Sequence, residues 1–353
     1  MGMGREDLFP HFFNLLIWLS LSEYDKLNGV KALVVGSSDI DLFITLPQAN
    51  SFVQSQNTIT FTLGDKIPTD INAMSLGGNG ANVSAGMKRL GLDTSFYTFL
   101  GTDLLSSQIR ETLKQEKINL IDHEGAGDNT SLNLIFDFSE DRIIFSHHEV
   151  KNHGFDPSRA KGFDALYLTS IGREWTDAYK QILTFVHSEN LALAFSPGSP
   201  QLADLEDVVY ELIAASQILF VNKEEGEHLL EKKVQQAQDI KELLKKLSAL
   251  GPQVVSVTNA GSGAYALVEN SYYHIPPFDE KSPKVDKTGA GDAYASGFFS
   301  AYLTSGKVEQ GMRWGGVNAN AVMGKIGAEE GLLTAEEIEQ LLSARPDYSA
   351  EKF

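Results

Sequence analysis

The feature that most constrains this chain is an alternation. Short apolar runs of strand length recur along it, and amphipathic helical stretches separate them. Lys31–Val35 (KALVV) ends at Gly36 and reads as a buried strand, and Ser95–Leu100 is strand-like. Ala165–Thr169, Leu191–Phe195, Gln217–Val221 and Gln253–Val257 are further runs of this kind. Helical stretches fall at Asn82–Leu90, Leu104–Glu116, Glu174–Ser188, Glu206–Ala215 and Gln236–Leu250. In the first of them Val83, Met87 and Leu90 share one face before Gly91. Strands alternating with helices predict an α/β protein with a mostly parallel sheet covered on both faces.

Two segments break the pattern. Leu42–Leu46 with Thr58–Leu63, and Asn133–Phe138 with Arg142–His147, alternate apolar and polar residues. A sheet with one wet face has that period. Ser139-Glu140-Asp141 between the last two runs resembles a hairpin turn. These runs predict a small β-lid, formed by about 42–75 and 130–150, inserted into an α/β domain spanning 29–345. Residues 1–28 form an N-terminal extension and 346–353 a C-terminal tail. Leu8–Leu21 is strongly apolar, but short for a membrane span and interrupted by Pro10, His11 and Asn14. Its flank, Arg5-Glu6-Asp7, is unlike the basic start of a secretion signal. We expect an added helix that packs on the body or on a partner. Weak membrane association and a poorly ordered extension are the alternatives.

A length of 353 residues suffices for one large domain or two small ones. The net charge of −18 argues against nucleic acid as a partner. It leaves room for a phosphorylated ligand, because one local site can be positive on an acidic protein. The absence of cysteine excludes disulfides, thiolate zinc sites and thiol nucleophiles. A cytoplasmic protein with no membrane partner fits these numbers.

The chemistry concentrates at Asp286-Lys287-Thr288-Gly289-Ala290-Gly291-Asp292. An amphipathic helix follows, with Ala295, Phe298, Phe299, Tyr302 and Leu303 at helical spacing and Gly306 to stop it. Small residues before a helix let the backbone approach a ligand, and the free N–H groups there favour an anion. A transferring phosphoryl group is such an anion. A carboxylate beside it, Asp292, can take the proton of an attacking hydroxyl. Taken alone, the run is equally a glycine-rich turn before a helix. A second cluster, Gly77-Gly78-Asn79-Gly80-Ala81-Asn82, pairs flexible backbone with two carboxamides and suits a hydroxyl-rich ligand. Asp39 and Asp41 follow the first strand, at the edge where open α/β sheets bind ligands, although turn and capping chemistry uses the same residues. Asn222-Lys223-Glu224-Glu225 follows another strand and reads equally as a helix start with Asn as its cap.

Together these motifs resemble the ribokinase, or PfkB-type, carbohydrate kinase family, from about Lys31 to about Leu342. The run ending at Asp292 is similar to that family's D-T-T-G-A-G-D, with Lys287 at its second position. Gly77–Gly91 resembles the first family signature, and Asn222–Glu225 the N-x-x-E motif. Thr258–Gly263 resembles the T-x-G-x-x-G nucleotide loop, with Ala260 in place of a glycine. The resemblance implies a three-layer α/β/α sandwich with a β-lid, and an ATP- and Mg²⁺-dependent kinase. It implies Asp292 as base, with the N–H groups of Gly289, Ala290 and Gly291 as anion hole. Glu225 with Asn222 would hold Mg²⁺. Thr258, Gly263 and the helix around Asn318–Met323 would line ATP. Asp286 and Thr288 resemble positions near a K⁺ site of some members. Asp41, Gly78, Asn79 and Asn82 would hold the acceptor's hydroxyls, with Asp39 beside them. True ribokinases carry a lysine where Asn79 stands and an acid where this chain reads Ser170-Ile171-Gly172. The implied acceptor is therefore a hydroxyl-rich sugar not fixed as ribose, with a nucleoside as the alternative. A catalytically inactive nucleotide-binding regulator is the remaining reading. Phe136, Phe138 and Phe145 could stack on a base, or simply form core. Lys66 and Arg142 could meet a sugar phosphate, or simply be solvated. The lid's exposed edges suggest a homodimer.

Overall fold

Among the described residues sixteen strands run, in chain order, β1 (Lys31–Val35), β2 (Asp39–Thr45), β3 (Val53–Ser55), β4 (Thr58–Thr60), β5 (Asp70–Gly77), β6 (Asp93–Thr98), β7 (Asn119–Asp122), β8 (Leu132–Asp137), β9 (Arg142–His147), β10 (Ala165–Leu168), β11 (Ala192–Phe195), β12 (Ile218–Asn222), β13 (Val254–Thr258), β14 (Ala264–Val268), β15 (Ser271–Ile275) and β16 (Glu351–Lys352). The computed structural model describes residues 29–46, 53–55, 58–122, 129–138, 142–148, 154–231, 237–279 and 281–353. The N-terminal helix expected at 8–21 and the turn expected at 139–141 lie outside the described residues.

Ten strands form the main sheet, in the order β16-β15-β14-β13-β12-β11-β10-β1-β6-β7. From β13 to β7 all neighbours are parallel. β14, β15 and β16 extend one edge as an antiparallel hairpin and a final short strand. Sequence patterning does not single these out, because their apolar runs follow one another with no helix between. Residues 346–353, set apart in the sequence as a tail, join the body, since β16 pairs with β15 and Tyr348 is buried.

The helices are α1 (Asn79–Arg89), α2 (Leu104–Gln115), α3 (Thr176–Glu189), α4 (Ser199–Asp204), α5 (Asp207–Ala215), α6 (Lys223–Glu231), α7 (Ile240–Ser248), α8 (Ala290–Ser305), α9 (Val308–Val322) and α10 (Ala335–Ala344). The period of two along each strand sorts them into two layers. Ala32 and Val34 of β1 face one core with residues of α1, α2, α8, α9 and α10. Leu33 and Val35 face the other with residues of α3, α5, α6 and α7. This is the three-layer sandwich expected.

A second sheet, ordered β5-β2-β8-β9, is the lid, and β3 and β4 pair as a separate hairpin. β2 and β5 are antiparallel, β2 and β8 parallel, and β8 and β9 antiparallel. The lid leaves the main sheet directly after β1 and returns through α1. At that junction Gly36 and Gly80 touch. A Cβ on Gly80 would lie 2.7 Å from the Cα of Gly36 and from the ring of Phe96. Two glycines therefore let the start of α1 sit against the end of β1. The strand order also reverses beside β1, between β6 and β10. Ligands of open α/β sheets bind at such a switch point.

Gly80→Ala should lower stability by about 2 kcal/mol, the scale of overpacking a tight core. Urea unfolding would measure it, and a loss below about 0.5 kcal/mol would show that the contact yields easily.

Candidate active site

Three elements converge beside that switch point, namely the start of α1, the inner face of the lid and the start of α8. Gly289 caps α8 with φ +72°, in the left-handed region, and a Cβ there would lie 2.4 Å from the Cβ of Ala328. Only glycine meets both conditions without strain. Asp292 sits in the first turn, where a negative charge suits the helix dipole. At the far end Gly306 takes φ +66° and stops the helix, as its position suggests.

Asp292 is held by the two carboxamides of the glycine cluster. Asn82 donates from Nδ2 to Oδ2 at 2.8 Å. Asn79 donates from Nδ2 to Oδ1 at 3.1 Å and to Oδ2 at 3.3 Å. Gly78, with φ +91°, turns the chain into α1 and lies so close to Ser37 and Ser38 that a Cβ would meet them at 2.8 Å. Asp292 opens partly onto a cleft, yet the protein around its head group removes enough water to push its pKa up to about 6. Desolvation dominates, the bonds from Asn82 and Asn79 oppose it, and the charge of Asp41 adds to it. A carboxylate poised there can accept a proton near neutral pH.

The lid contributes a row across its strands. Register places Ser75, Asp41, Asn133 and Ser146 side by side on β5, β2, β8 and β9. Asn133 Nδ2 donates to Asp41 Oδ1 at 2.8 Å. Asp41 is almost fully buried, and desolvation pushes its pKa up to about 6, with the Asn133 bond opposing and the charge of Asp39 adding. Asp39 is also buried, at the first position of β2. Gly77 lies against the Asp41 carboxylate, where a Cβ would be 2.4 Å from Cγ. Ser75 and Asn133 are not evident in the sequence; only the register of the lid brings them to Asp41. Phe136 and Phe145 stand on the opposite face, where their rings meet edge to face at 5.5 Å, and Phe138 is buried. Lys66 is exposed. Arg142 is not merely solvated, because its guanidinium pairs with Asp286.

The cleft measures about 620 Å³, open solvent at its mouth included, and runs along the C-terminal ends of β10 to β13. Asn79, Asn222, Glu225, Thr258, Gly291 and Asp292 are among its lining residues. Asn222 and Glu225 cap α6 reciprocally. The N–H of Glu225 donates to Asn222 Oδ1 at 2.9 Å, and that of Asn222 to Glu225 Oε2 at 2.8 Å. The helix-start reading and the ligand reading thus describe the same residues. Desolvation raises the pKa of Glu225, the Asn222 bond opposes it and the charge of Asp292 adds to it. Gly263, with φ +83°, closes the loop after β13, and the N–H of Asn259 donates to its carbonyl at 2.8 Å. The N–H of Ala290 donates to the carbonyl of Lys287 at 3.3 Å, a long bond that a better acceptor can displace.

Asn318 does not fit the nucleotide role expected of it. It is fully buried, with Nδ2 donating to the carbonyl of Ala293 at 2.9 Å and Oδ1 accepting from Leu333 N–H at 3.1 Å. Both ends of its carboxamide brace α8 against α9 and the following loop. Among the described residues no three acidic or His side chains form a metal cage. The carboxylate of Glu225 at the cleft suits Mg²⁺, which keeps waters and takes few protein ligands beside phosphate oxygens. The Asp286–Thr288 pair fits K⁺ poorly, because the Asp286 carboxylate already accepts bonds from Arg142, Gly327 and the N–H and hydroxyl of Thr288.

The pKa of Asp41 carries a stability consequence. It is raised from 3.8 in the unfolded chain to about 6, so the fold disfavours the charged form. That cost is fully present above pH 6 and is relieved as pH falls towards 4. Asp41→Asn should therefore stabilise the unliganded protein at pH 7.5 by on the order of 2 kcal/mol and change little at pH 4. Thermal melts at both pH values would test this; equal effects at the two would contradict it.

No helix among the described residues is long and apolar enough to cross a membrane. The model of the pfkB family carbohydrate kinases matches residues 64–335. An ATP-dependent ribose-1-phosphate kinase of Halopiger xanaduensis is 27% identical over 77% of this chain and 88% of its own length. Among solved structures, the nucleoside kinase of Methanocaldococcus jannaschii superposes with a TM-score of 0.69 at 22% identity, covering 89% of this chain and 98% of that one. An E. coli protein solved with ATP and Mg²⁺ superposes with a TM-score of 0.72 at 16% identity, covering 89% and 99%. The family match spans most of the chain and the same fold recurs, so this protein belongs to the PfkB family of carbohydrate kinases, phosphotransferases with an alcohol group as acceptor.

Proposed function

We propose that this kinase transfers the γ-phosphoryl group of ATP to a hydroxyl of a sugar or sugar-like acceptor, with Asp292 as the base. The observation that carries this reading is the Asp292 carboxylate, fixed by Asn82 and Asn79 at the start of α8 and open to the cleft. The acceptor hydroxyl gives its proton to Asp292 as its oxygen attacks the γ-phosphorus; the bond from that phosphorus to the bridging β-phosphate oxygen breaks, and ADP leaves keeping that oxygen and the electron pair. The N–H groups of Gly289, Ala290 and Gly291 receive the charge of the transferring group. Glu225 and Asn222 stand where Mg²⁺ would be held through water, and bound Mg²⁺ neutralises phosphate charge. Thr258 and Gly263 flank the nucleoside part of ATP.

A sugar-like acceptor suits the lid's inner row, because Asp41, Asn133 and Ser75 offer directional partners for several hydroxyls. Asn79, Asn82 and Gly78 close the other side, and Asp39 backs the row. A nucleoside finds less support, since Phe136 and Phe145 stand on the far face from Asp41. The relative named for ribose 1-phosphate also points to a sugar. The retained Asp292 argues against an inactive regulator. We assign 29–353 to the kinase domain and its lid, the last strand included.

Purified protein with ATP, Mg²⁺ and a panel of sugars, sugar phosphates and nucleosides should phosphorylate a sugar. Asp292→Asn should keep ATP binding and lose roughly 10²-fold or more in kcat. A near-normal rate in that variant would remove the base assignment.

The lid's outer face supports a homodimer. Register aligns Met74, Leu42, Leu134 and Phe145 in one row, and Ile71, Ile44, Phe136 and Ile143 in the next. Ile71 is 66% exposed and Phe145 56% exposed. An apolar sheet face of this kind marks a contact surface. Phe145→Glu should convert a dimer to a folded monomer in sedimentation. A native chain that sediments as a monomer at micromolar concentration would refute the pairing.

A further inference from the structure

The lid and the anion-hole loop meet at one carboxylate. Arg142, the first residue of β9, pairs through Nη1 with Oδ1 of Asp286, whose side chain is only 9% exposed. The same Oδ1 accepts the N–H of Thr288 at 2.9 Å and its hydroxyl at 2.7 Å. Oδ2 accepts the N–H of Gly327 at 3.0 Å. Three donors thus crowd Oδ1 and one reaches Oδ2, so both carboxylate oxygens are engaged. The donors come from the lid, from the loop that leads to α8, and from the turn before Ala328. Ala328 in turn packs against Gly289, leaving no room for a Cβ there. Asp286 therefore fixes both segments that set the start of α8.

We infer that Arg142 is a built-in counter-cation for Asp286, which sets the anion-hole loop from the lid and makes phosphoryl transfer independent of K⁺. A buried carboxylate needs a compensating charge. Guanidinium stays charged at every working pH and presents fixed N–H donors. A monovalent metal ion brought to Asp286 would have to displace that guanidinium and would meet the positive ends of the N–H groups already there. Arg142 is a positioning residue, since it acts on the reacting groups through Asp286. Its second consequence is coupling. Lifting β9 away would leave Asp286 uncompensated, so the ordered loop and the closed lid belong to one state. The catalytic part of this inference rests on the kinase reading above; the ion pair does not.

The test compares the native chain with Arg142→Gln and Arg142→Lys, in potassium and in N-methylglucamine chloride at matched ionic strength. Thermal melting needs neither ATP nor acceptor, so its result stands whatever the acceptor panel returns. The native protein and Arg142→Lys should melt alike in the two salts. Arg142→Gln should melt lower, and potassium should restore about 1 °C or more of the loss, the shift expected of roughly 1 kcal/mol in a chain of this length. With an acceptor in hand, Arg142→Gln should lose about 10- to 100-fold in kcat, the scale of misplacing reacting groups. Potassium should recover part of that loss while the native rate ignores it. A native protein that melts higher or turns over faster in potassium would overturn the inference. So would an Arg142→Gln protein that responds to potassium in neither readout.

Discussion

The close approach of Gly36 and Gly80 is the constraint on which the rest of the site depends. It brings the start of α1 against the end of β1, where the strand order reverses. Asn79 and Asn82 lie on either side of Gly80 in that first turn, so the contact that sets the helix also sets the carboxamides. α8 packs beside α1, and a Cβ on Gly86 would lie 2.3 Å from the hydroxyl of Ser296. Two helices held this closely bring Asn82 and Asp292 within 2.8 Å across 210 positions of sequence. The pairing of Asn82 with Asp292 thus follows from two close contacts, Gly36 with Gly80 and Gly86 with Ser296, that only small residues permit.

The main sheet was legible because its parallel strands other than β6 and β7 are apolar at nearly every position and its helices are amphipathic. β1, β6, β10, β11, β12 and β13 each fall within a residue or two of the expected runs. The lid was legible in outline, since a half-wet sheet alternates. The last strand of its first segment was not, because β5 reads Asp-Ile-Asn-Ala-Met-Ser-Leu-Gly with exposed residues on both faces, while the run expected at Thr58–Leu63 supplies β4 of the separate hairpin. The role of β5 comes from pairing with β2, which no local pattern announces. The hairpin of β14 and β15 was missed for a related reason, since it extends a parallel sheet by antiparallel strands.

The site divides along the same line. Asn222 with Glu225 was readable from spacing as a helix cap, whereas the bonds of Thr288 to Asp286 were not, since only the resemblance set that pair near a K⁺ site. Asn318 was misjudged because a buried carboxamide that braces two helices has the same sequence appearance as one that meets a ligand. Asn133, Ser75 and Arg142 act through cross-strand register or through a partner more than a hundred residues away. Their types are unremarkable for a lid, and their positions matter only once β2, β5, β8 and β9 are aligned.

Charge gives the site its logic. Asp41 feels Asp39 and Asp286, Asp292 feels Asp41, and Glu225 feels Asp292, so a neighbouring carboxylate adds to the raised pKa of each of Asp41, Asp292 and Glu225. On a protein of net charge −18 such a line of acids would repel the phosphates of ATP. Three features offset this. Hydrogen bonds from Asn82, Asn79 and Asn133 spread the charge of Asp292 and Asp41. The start of α8 carries N–H groups that, in the proposed transfer, would meet the developing phosphoryl charge. Arg142 neutralises Asp286, the acid nearest to that helix start in sequence on its N-terminal side. Positive character is therefore concentrated at the helix end and negative character at the acceptor row, a polarity that suits a hydroxyl giving up its proton to one side while a phosphoryl group arrives from the other.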